Sequence, residues 1–256
     1  MCIIAVSKIG VRQPSLKQLE NMYTNNPDGA GYMYARNGKV HIHKGFMNWE
    51  DFKRSVENEH FTKDDAVVYH FRISTQAGVC ATMTHPFPLT KDLKLCEKLD
   101  LICPTGIAHN GIITMTSFSK ETRFSDTAYF ITWYMSKLIR KPEEITDPFV
   151  QDMIETLTNS KWALMDGATG DIVTVGKFQN CKGLLFSNNS YSNNYHKYTI
   201  PTSYRFDYDD YYGGYYGGGY SSWSDGYKDY IYGESGKKSK KTNGTYVPFD
   251  TKKEVK

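Results

Sequence analysis

Short runs of apolar residues, separated by turn residues, fill the first 190 positions of the chain. Runs rich in β-branched and aromatic residues predict strands, and Asn37-Gly38, lying between two such runs, is a strong signal for a two-residue hairpin. The pattern predicts strands over 2–8, 31–36, 40–45, 66–72, 107–113, 161–166, 172–176 and 184–187.

Four segments have the features of helices. Ser15 and Asn48 are suited to cap helices over 15–24 and 49–57, and Ser125 is suited to cap a longer helix with an apolar face. A fourth helix is predicted over roughly 148–157. Because the strands are grouped at both ends of this region with helices between them, the pattern favours two stacked sheets covered by helices over a βαβ repeat.

The pattern changes after about Tyr191. Residues 204–232 form a tract of Tyr, Gly, Asp and Ser with almost no aliphatic residues, and clustered lysines follow it. Such a segment cannot bury enough aliphatic surface to offset its ordering entropy, so we expect a disordered tail over 191–256 beside a folded domain over 2–190. We favour a solvated tail; the alternative is that its aromatics and lysines bind single-stranded nucleic acid or mediate self-association.

Composition narrows the function classes. The formal net charge of +3 gives little reason to expect nucleic acid or an acidic surface as a partner of the folded part. No apolar run approaches the ~20 residues that span a bilayer, and the first residues lack the basic region of a signal peptide. The five cysteines show no metal-ligand spacing, so we expect reduced thiols in a cytoplasmic protein without metal or cofactor.

Cys2 is the residue with the most distinctive chemistry. It follows the initiator methionine and is small enough for methionine aminopeptidase to remove Met1. The mature chain then begins with a thiol and a free α-amine, whose reference pKa of about 7.7–8.0 leaves part of it unprotonated at neutral pH. That amine can take the thiol proton, so one residue supplies both nucleophile and base. Taken alone, Cys2 fits better as a small apolar residue opening an edge strand, and the motifs that follow reverse this preference.

Three further segments hold groups that an amide-cleaving thiol enzyme needs. Arg72 can bind a carboxylate through two hydrogen bonds, and the Thr75 hydroxyl can add another. Asn110 and the backbone N–H of Gly111 can donate to a tetrahedral oxyanion. Asp126, in the first turn of a predicted helix, can receive an ammonium group. Singly, these residues also fit an ion pair, a hairpin turn and a helix cap.

The order of these features is more specific than any one of them. Cys2 is followed by the motifs NPDGAG (26–31), HFRIST (70–75), HPFP (85–88), HNG (109–111) and SDT (125–127). In this order the chain resembles the class II glutamine amidotransferase domain of the N-terminal nucleophile (Ntn) hydrolase superfamily, over roughly residues 2–190. The resemblance implies an α+β fold, a four-layer αββα sandwich of two mainly antiparallel sheets, which agrees with the predicted elements.

The resemblance also implies roles for the candidate residues. Cys2 would attack the side-chain amide of glutamine with its own α-amine as general base, while Asn110 and Gly111 form the oxyanion hole. Ammonia would leave first, and water would then hydrolyse the γ-glutamyl thioester. The substrate α-carboxylate would be bound by Arg72 with Thr75, and its α-ammonium by Asp126. His85, in the HPFP motif, is expected to be structural rather than catalytic.

The chain departs from the family pattern at two peripheral positions and in its domain content. Gln76 stands where synthase members often have histidine, and Ala128 stands where an acidic residue is common. The tail is too poor in aliphatic residues to form a synthase domain. The resemblance therefore predicts either a stand-alone glutaminase-type hydrolase or a subunit that supplies ammonia to a separate synthase.

Two other functions stay open at this point. One is an Ntn amidohydrolase that acts on another small amide or γ-glutamyl compound. It is disfavoured because Arg72 and Asp126 suit a free α-amino acid. The other is a non-catalytic binding module of the same fold, which would have no chemical need for Cys2 together with its predicted partners.

Overall fold

The computed structural model describes residues 2–73, 79–114 and 124–192, and these residues form two antiparallel sheets with helices. The strands are β1 (Ile3–Ser7), β2 (Ala30–Arg36), β3 (Lys39–Phe46), β4 (Val67–Phe71), β5 (Phe87–Pro88), β6 (Asp100–Cys103), β7 (Thr105–Asn110), β8 (Lys161–Asp166), β9 (Ile172–Val175), β10 (Gln179–Cys181) and β11 (Leu184–Phe186). The larger sheet has the order β10-β11-β1-β4-β2-β3-β6, and the smaller has the order β5-β7-β8-β9.

The helices are α1 (Leu16–Asn25), α2 (Trp49–Glu59), α3 (Asp126–Phe130), α4 (Ser136–Leu138) and α5 (Pro148–Thr158). A π-helical turn over Ile131–Met135 joins α3 to α4, so the long helix predicted after Ser125 forms with an irregular middle. Short 3₁₀ turns cover Ala81–Met83, Leu93–Glu97 and Pro142–Thr146.

The predicted helix caps are confirmed. The side chain of Ser15 accepts a hydrogen bond from the backbone N–H of Gln18, and the side chain of Gln18 accepts one from the backbone N–H of Ser15. The side chains of Asn48 and Ser125 likewise accept from the third residue of their helices. Each cap satisfies a backbone donor that the helix itself leaves without a partner.

Three apolar clusters show how the layers pack. In one, α1 and α2 cover the larger sheet, with Phe52 against Phe71. In another, the helices from α3 to α5 cover the smaller sheet, with Phe130 against Trp162. The third cluster contains residues of both sheets, such as Ile4, Met33 and Val68 of the larger and Ala108, Ala163 and Met165 of the smaller. The two sheets therefore face each other, and each carries helices on its outer face.

The β2–β3 hairpin turns as its sequence predicts. Asn37 and Gly38 have φ angles of 53° and 72°, the left-handed pair that a two-residue turn of this kind requires. On the same hairpin, Gly31 lies so close to the carbonyl oxygen of His85 and to Lys44 that a Cβ could not be added without displacement. Glycine at this position therefore lets the HPFP segment pack against β2.

The α+β class and the two antiparallel sheets are confirmed, but one predicted strand is wrong at its end. The strand predicted over 107–113 spans Thr105–Asn110, and Asn110 pairs with Lys161, the first residue of its partner β8. The strands β5, β6 and β10 were not predicted. The tail predicted over 191–256 lies outside the described residues except for its first two positions. Among the described residues, no helix has the length and apolar character that crossing a membrane requires.

Candidate functional site

Cys2 lies directly before β1, beside the end of β4. Its thiol donates a hydrogen bond to the carbonyl oxygen of Ile73 and accepts one from the N–H of the same residue, both at 3.3 Å. Burial raises the pKa of the Cys2 thiol above its ordinary value, although the Ile73 contact and the positive charges of the chain terminus and Arg72 act against this. The thiol is therefore neutral at pH 7 and needs a base before it can attack.

Arg72 is buried and stands in sequence next to the residue that holds the thiol. Its backbone is fixed by the NPDGAG turn, because its N–H donates to Gly29 at 2.8 Å and its carbonyl accepts from Asp28 at 3.0 Å. The positive charge of Arg72 lowers the pKa of the Cys2 thiol and of the Asp126 carboxyl, in both cases against a larger effect of burial. Arg72 thus lies within electrostatic reach of two other predicted site groups.

Asp126 is the first residue of α3, and backbone groups hold both of its carboxylate oxygens. Oδ2 accepts from the N–H of Ile113 and Oδ1 accepts from the N–H of Thr127, each at 2.8 Å. Burial raises the pKa of the Asp126 carboxyl, and these hydrogen bonds lower it. A carboxylate has about four acceptor sites, so this oriented group retains the capacity to bind an ammonium.

Asn110 is the last residue of β7 in the smaller sheet, and Gly111 follows it. Cys2, by contrast, precedes a strand of the larger sheet. Asn110 is buried, and its side-chain amide contacts the hydroxyl of Ser187 at 2.8 Å. The side-chain oxygen of Asn110 has no hydrogen-bond partner among the described residues. A Cβ on Gly111 would lie 2.7 Å from the Cβ of Ser160 and 3.0 Å from Nε2 of His109, so close packing requires glycine here.

Ser187 and Asn188, which follow β11, connect these parts and were not found by sequence reasoning. The Ser187 hydroxyl accepts from the N–H of Ile4 at 2.8 Å while it contacts Asn110. The side chain of Asn188 donates to the carbonyl oxygen of Cys2 at 2.7 Å. These contacts join residues 183 and 186 positions apart. No local sequence signal identifies them, because only the pairing of β11 with β1 brings them to the site.

Three buried histidines lie behind the site, where they link the two sheets and helix α3. His70 and His85 approach each other at 3.0 Å between ring nitrogens, and both nitrogens lie 3.0 Å from the carbonyl oxygen of His109. The ring of His109 contacts the Thr127 hydroxyl at 2.8 Å and stacks on Trp162. Burial lowers the pKa of His70 and of His109 to about 3 and places the pKa of His85 well below its ordinary range.

Because their pKa values are lowered this far, these rings are weak bases and are unsuited to act as a general base near pH 7. Their contacts instead join β4, the HPFP segment and β7, and through Thr127 they reach the helix that carries Asp126. The geometry is that of a packed support. The expected structural role of His85 fits this arrangement.

The remaining predictions about the site meet the structure only in part. Thr75 and Gln76 lie outside the described residues. Ala128 is fully buried in the cluster beneath the smaller sheet, where a charged side chain would have to be desolvated. Among the residues that the structure describes, no group of His, Cys, Asp or Glu side chains is placed to hold a metal ion.

A cleft elsewhere on the described surface does not coincide with this chemistry. It has a volume of about 820 Å³ and is lined by Lys91, Asp92, Leu93, Lys94, Glu97, Lys98, Phe124, Thr132 and Trp133. None of these residues belongs to the Cys2 group. We assign the candidate site to the Cys2 group because a nucleophile, an oriented carboxylate and a buried guanidinium are specific chemistry, whereas a basic surface cleft is not.

No protein-family model matches the chain, and no curated protein does. The grounds for a function are therefore the residues that the fold brings together. These are Cys2 and Arg72 at the ends of two paired strands, Asp126 at the start of a helix and Asn110 at the end of a strand of the facing sheet.

Proposed function

We propose that the protein is a glutamine-hydrolysing, amidotransferase-type enzyme of the Ntn hydrolase class, with Cys2 as its nucleophile. The observation that carries the proposal is the Cys2 thiol held on Ile73, directly after a buried Arg72 whose charge also acts on Asp126. A thiol flanked by an opposite pair of charges suits a side-chain amide on a free α-amino acid, which presents one carboxylate and one ammonium.

The layering of the described residues is compatible with the four-layer αββα sandwich of Ntn hydrolases. Helices α1 and α2 cover one sheet, helices α3 to α5 cover the other, and the sheets share a core. A fold hosts many functions, so the layers are only a supporting argument. The proposal depends on the site.

The reaction follows from the groups present. With Cys2 as the first residue, its α-amine takes the thiol proton and the thiolate attacks the amide carbon of glutamine. The oxyanion that forms accepts hydrogen bonds from the side chain of Asn110 and the N–H of Gly111. The ammonium formed on Cys2 returns its proton to the leaving nitrogen, so that ammonia departs and a γ-glutamyl thioester remains. The amine then deprotonates a water that hydrolyses the thioester to glutamate.

This mechanism requires that Cys2 be N-terminal in the mature protein. A peptide bond to a preceding residue would remove the amine that acts as base, and the raised pKa of the Cys2 thiol leaves little thiolate without it. We place the enzyme in the cytoplasm, where the thiol stays reduced. The ammonia is either released or passed to a separate synthase subunit.

The test is the intact mass of the full-length protein before and after treatment with 6-diazo-5-oxo-norleucine, a glutamine mimic that alkylates thiols. We expect loss of the residue before Cys2 and the addition of one adduct. Cys2→Ala should lose the adduct and the release of ammonia from glutamine. Cys181→Ala is the matched control, since Cys181 is also a half-buried free thiol, and it should keep both.

Each alternative has its own outcome. A peptide bond retained at the nitrogen of Cys2 would refute the mechanism. A free N-terminal Cys2 without an adduct would favour an Ntn amidohydrolase for another amide. Full ammonia release by Cys2→Ala would exclude thiol catalysis. Binding of a partner that survives Cys2→Ala but is lost when the tail after Tyr191 is removed would favour a binding module of the same fold.

A further inference from the structure

The side chain of Ser187 links the two sheets at the candidate site. It is fully buried, and its own N–H donates to the carbonyl oxygen of Ile4 at 3.0 Å. Its hydroxyl accepts from the N–H of Ile4 and lies 2.8 Å from the amide nitrogen of Asn110. Its carbonyl oxygen accepts from the ammonium of Lys161 at 2.5 Å. Ser187 is thus hydrogen-bonded to β1, the strand that follows Cys2, and contacts Asn110 on the facing sheet.

When the Asn110 nitrogen is the donor in this contact, one hydrogen-bond donor and one acceptor are left without partners within the described part of the chain. A serine hydroxyl has one hydrogen and two lone pairs. With Ile4 and Asn110 both donating to it, its hydrogen finds no acceptor among the described residues. At the same time the side-chain oxygen of Asn110 is buried without a partner. Two unmet groups at one contact are costly, because each loses its water without replacement.

A half-turn of the Asn110 amide gives a partner to both the Ser187 hydroxyl hydrogen and the Asn110 side-chain oxygen. The Ser187 hydroxyl then accepts from Ile4 and donates to the oxygen of Asn110. The nitrogen and oxygen of an amide are nearly the same size, so the hydrogen-bond partners decide which orientation is adopted. The amide nitrogen now occupies the buried position that has no partner among the described residues.

We propose that Ser187 is a positioning residue, which orients the amide of Asn110 so that its nitrogen is presented to the oxyanion. The catalytic part of this inference rests on the proposed function, whereas the orientation of the Asn110 amide does not. A donor without a partner in the resting site gains one only when the oxyanion forms. Such an interaction is stronger in the transition state than in the ground state, which is the requirement for catalysis.

Glutamine hydrolysis by a set of variants tests the catalytic part. Ser187→Ala should lower kcat by about tenfold to a hundredfold with little change in KM, since removing a whole oxyanion donor costs about a hundredfold to a thousandfold. Ser187→Thr keeps a hydroxyl and should restore most of kcat. Ser187→Cys, similar in size but a weak hydrogen-bonding group, should behave like the alanine variant and serves if that variant does not fold.

The control is Ser7→Ala. Ser7 is a fully buried serine at the other end of β1. Its hydroxyl contacts two backbone carbonyl oxygens, and these contacts lie away from the site. It should lose stability and keep kcat. The double variant of Ser187→Ala with Asn110→Ala should have the kcat of Asn110→Ala alone, because Ser187 acts through Asn110. Additive losses, or an unchanged kcat in Ser187→Ala, would overturn the proposal.

The orientation has a readout that needs no turnover. In protein labelled at asparagine with ¹³C and ¹⁵N, Ser187→Ala should shift the side-chain carbonyl carbon of Asn110, which loses its donor, and should leave the amide protons nearly unchanged. Shifted amide protons with an unchanged carbonyl carbon would refute the proposed orientation. If the wild-type protein releases no ammonia from glutamine, the proposed function fails, whereas this spectrum still decides the orientation.

Discussion

At the scale of single residues, the site depends on charges whose positions are fixed by backbone groups. Asp126 is held at both oxygens by the N–H groups of Ile113 and Thr127, so its carboxylate has one orientation. For Arg72 the hydrogen bonds to the NPDGAG turn fix the backbone, and its side chain is buried. A carboxylate held like that of Asp126 would lose little entropy on binding a substrate, so in the proposed function its contribution to binding is large.

Asp126→Asn tests the ammonium-binding role. The substitution removes the charge and turns one acceptor into a donor facing a backbone N–H. A charge-assisted hydrogen bond contributes about 1.5–3 kcal/mol, so KM for glutamine should rise by about tenfold to a hundredfold. The value of kcat should change less, because Asp126 does not touch the reacting amide. Steady-state ammonia release measures both constants.

Glutaramic acid, which is glutamine without its α-amine, is the matched substrate. Wild-type protein should strongly prefer glutamine, whereas Asp126→Asn should lose most of that preference. An unchanged KM for glutamine in the variant would remove Asp126 from the ammonium site. A preference retained in full would place the ammonium at another group.

At the scale of elements, Gly31 shows how one small residue lets two segments approach. A Cβ there would lie 2.6 Å from the Cβ of Lys44 and 2.9 Å from the carbonyl oxygen of His43, and would also meet the carbonyl oxygen of His85. Two of these three are backbone atoms, which cannot move without displacing a strand or the HPFP segment. The β2 strand therefore positions the histidines behind the site as well as its own hairpin.

Gly31→Ala should lower the free energy of unfolding by about 3 kcal/mol, the upper end of the usual cost of overpacking. Gly38→Ala is the control on the same hairpin, because its Cβ would meet nothing within 4 Å and only its φ of 72° is unfavourable. That strain costs about 1–2 kcal/mol. Urea unfolding of the two variants compares them, and equal losses would show that the approach to His85 is not tightly packed.

Local signals predict most elements of this fold. The caps Ser15, Asn48 and Ser125 and the Asn37-Gly38 turn act through neighbouring residues, so the sequence alone was sufficient. The strands β5, β6 and β10 are two to four residues long, and their conformation depends on a partner strand distant in sequence. Short edge strands carry no periodicity to detect, which is why they were missed.

At the scale of the whole molecule, strand order decides which residues meet. The candidate residues Cys2, Arg72, Asn110 and Asp126 were predicted because each has recognisable chemistry within a motif. Ser187 has none, and it reaches the site only because β11 lies beside β1 in the larger sheet. The support of a site is therefore harder to predict than its chemistry, since it depends on contacts across nearly the full described length.

The three buried histidines link folding of the whole molecule to pH. Burial is the main cause that lowers each pKa, and for His85 the neighbouring His70 and His109 and then the charges of Lys44 and Arg72 add to it. The unfolded chain has ordinary histidines with pKa near 6.5, so it binds more protons than the folded protein between pH 6.5 and about 3. Stability is therefore complete above pH 6.5 and falls as the pH decreases through this window.

The loss should approach about 1.4 kcal/mol per pH unit for each histidine. Asp126 opposes it, because burial raises its pKa and the folded state then binds the extra proton. His70→Gln removes one titrating ring and keeps a donor for the His109 carbonyl, so it should reduce the acid dependence by about a third. His60→Asn, at an exposed position with a left-handed φ that asparagine tolerates, is the control and should not change it.

Urea unfolding at pH 7, 6 and 5 measures this dependence. The comparison uses the change of the unfolding free energy with pH, so a variant that is merely less stable at every pH does not count as evidence. If His70→Gln keeps the full acid dependence of the wild-type protein, the neutral histidines are not its source. If the dependence falls as expected, the packed support behind the site is also what makes the fold sensitive to acid, because protonating any of these rings forces a charge into the buried interior.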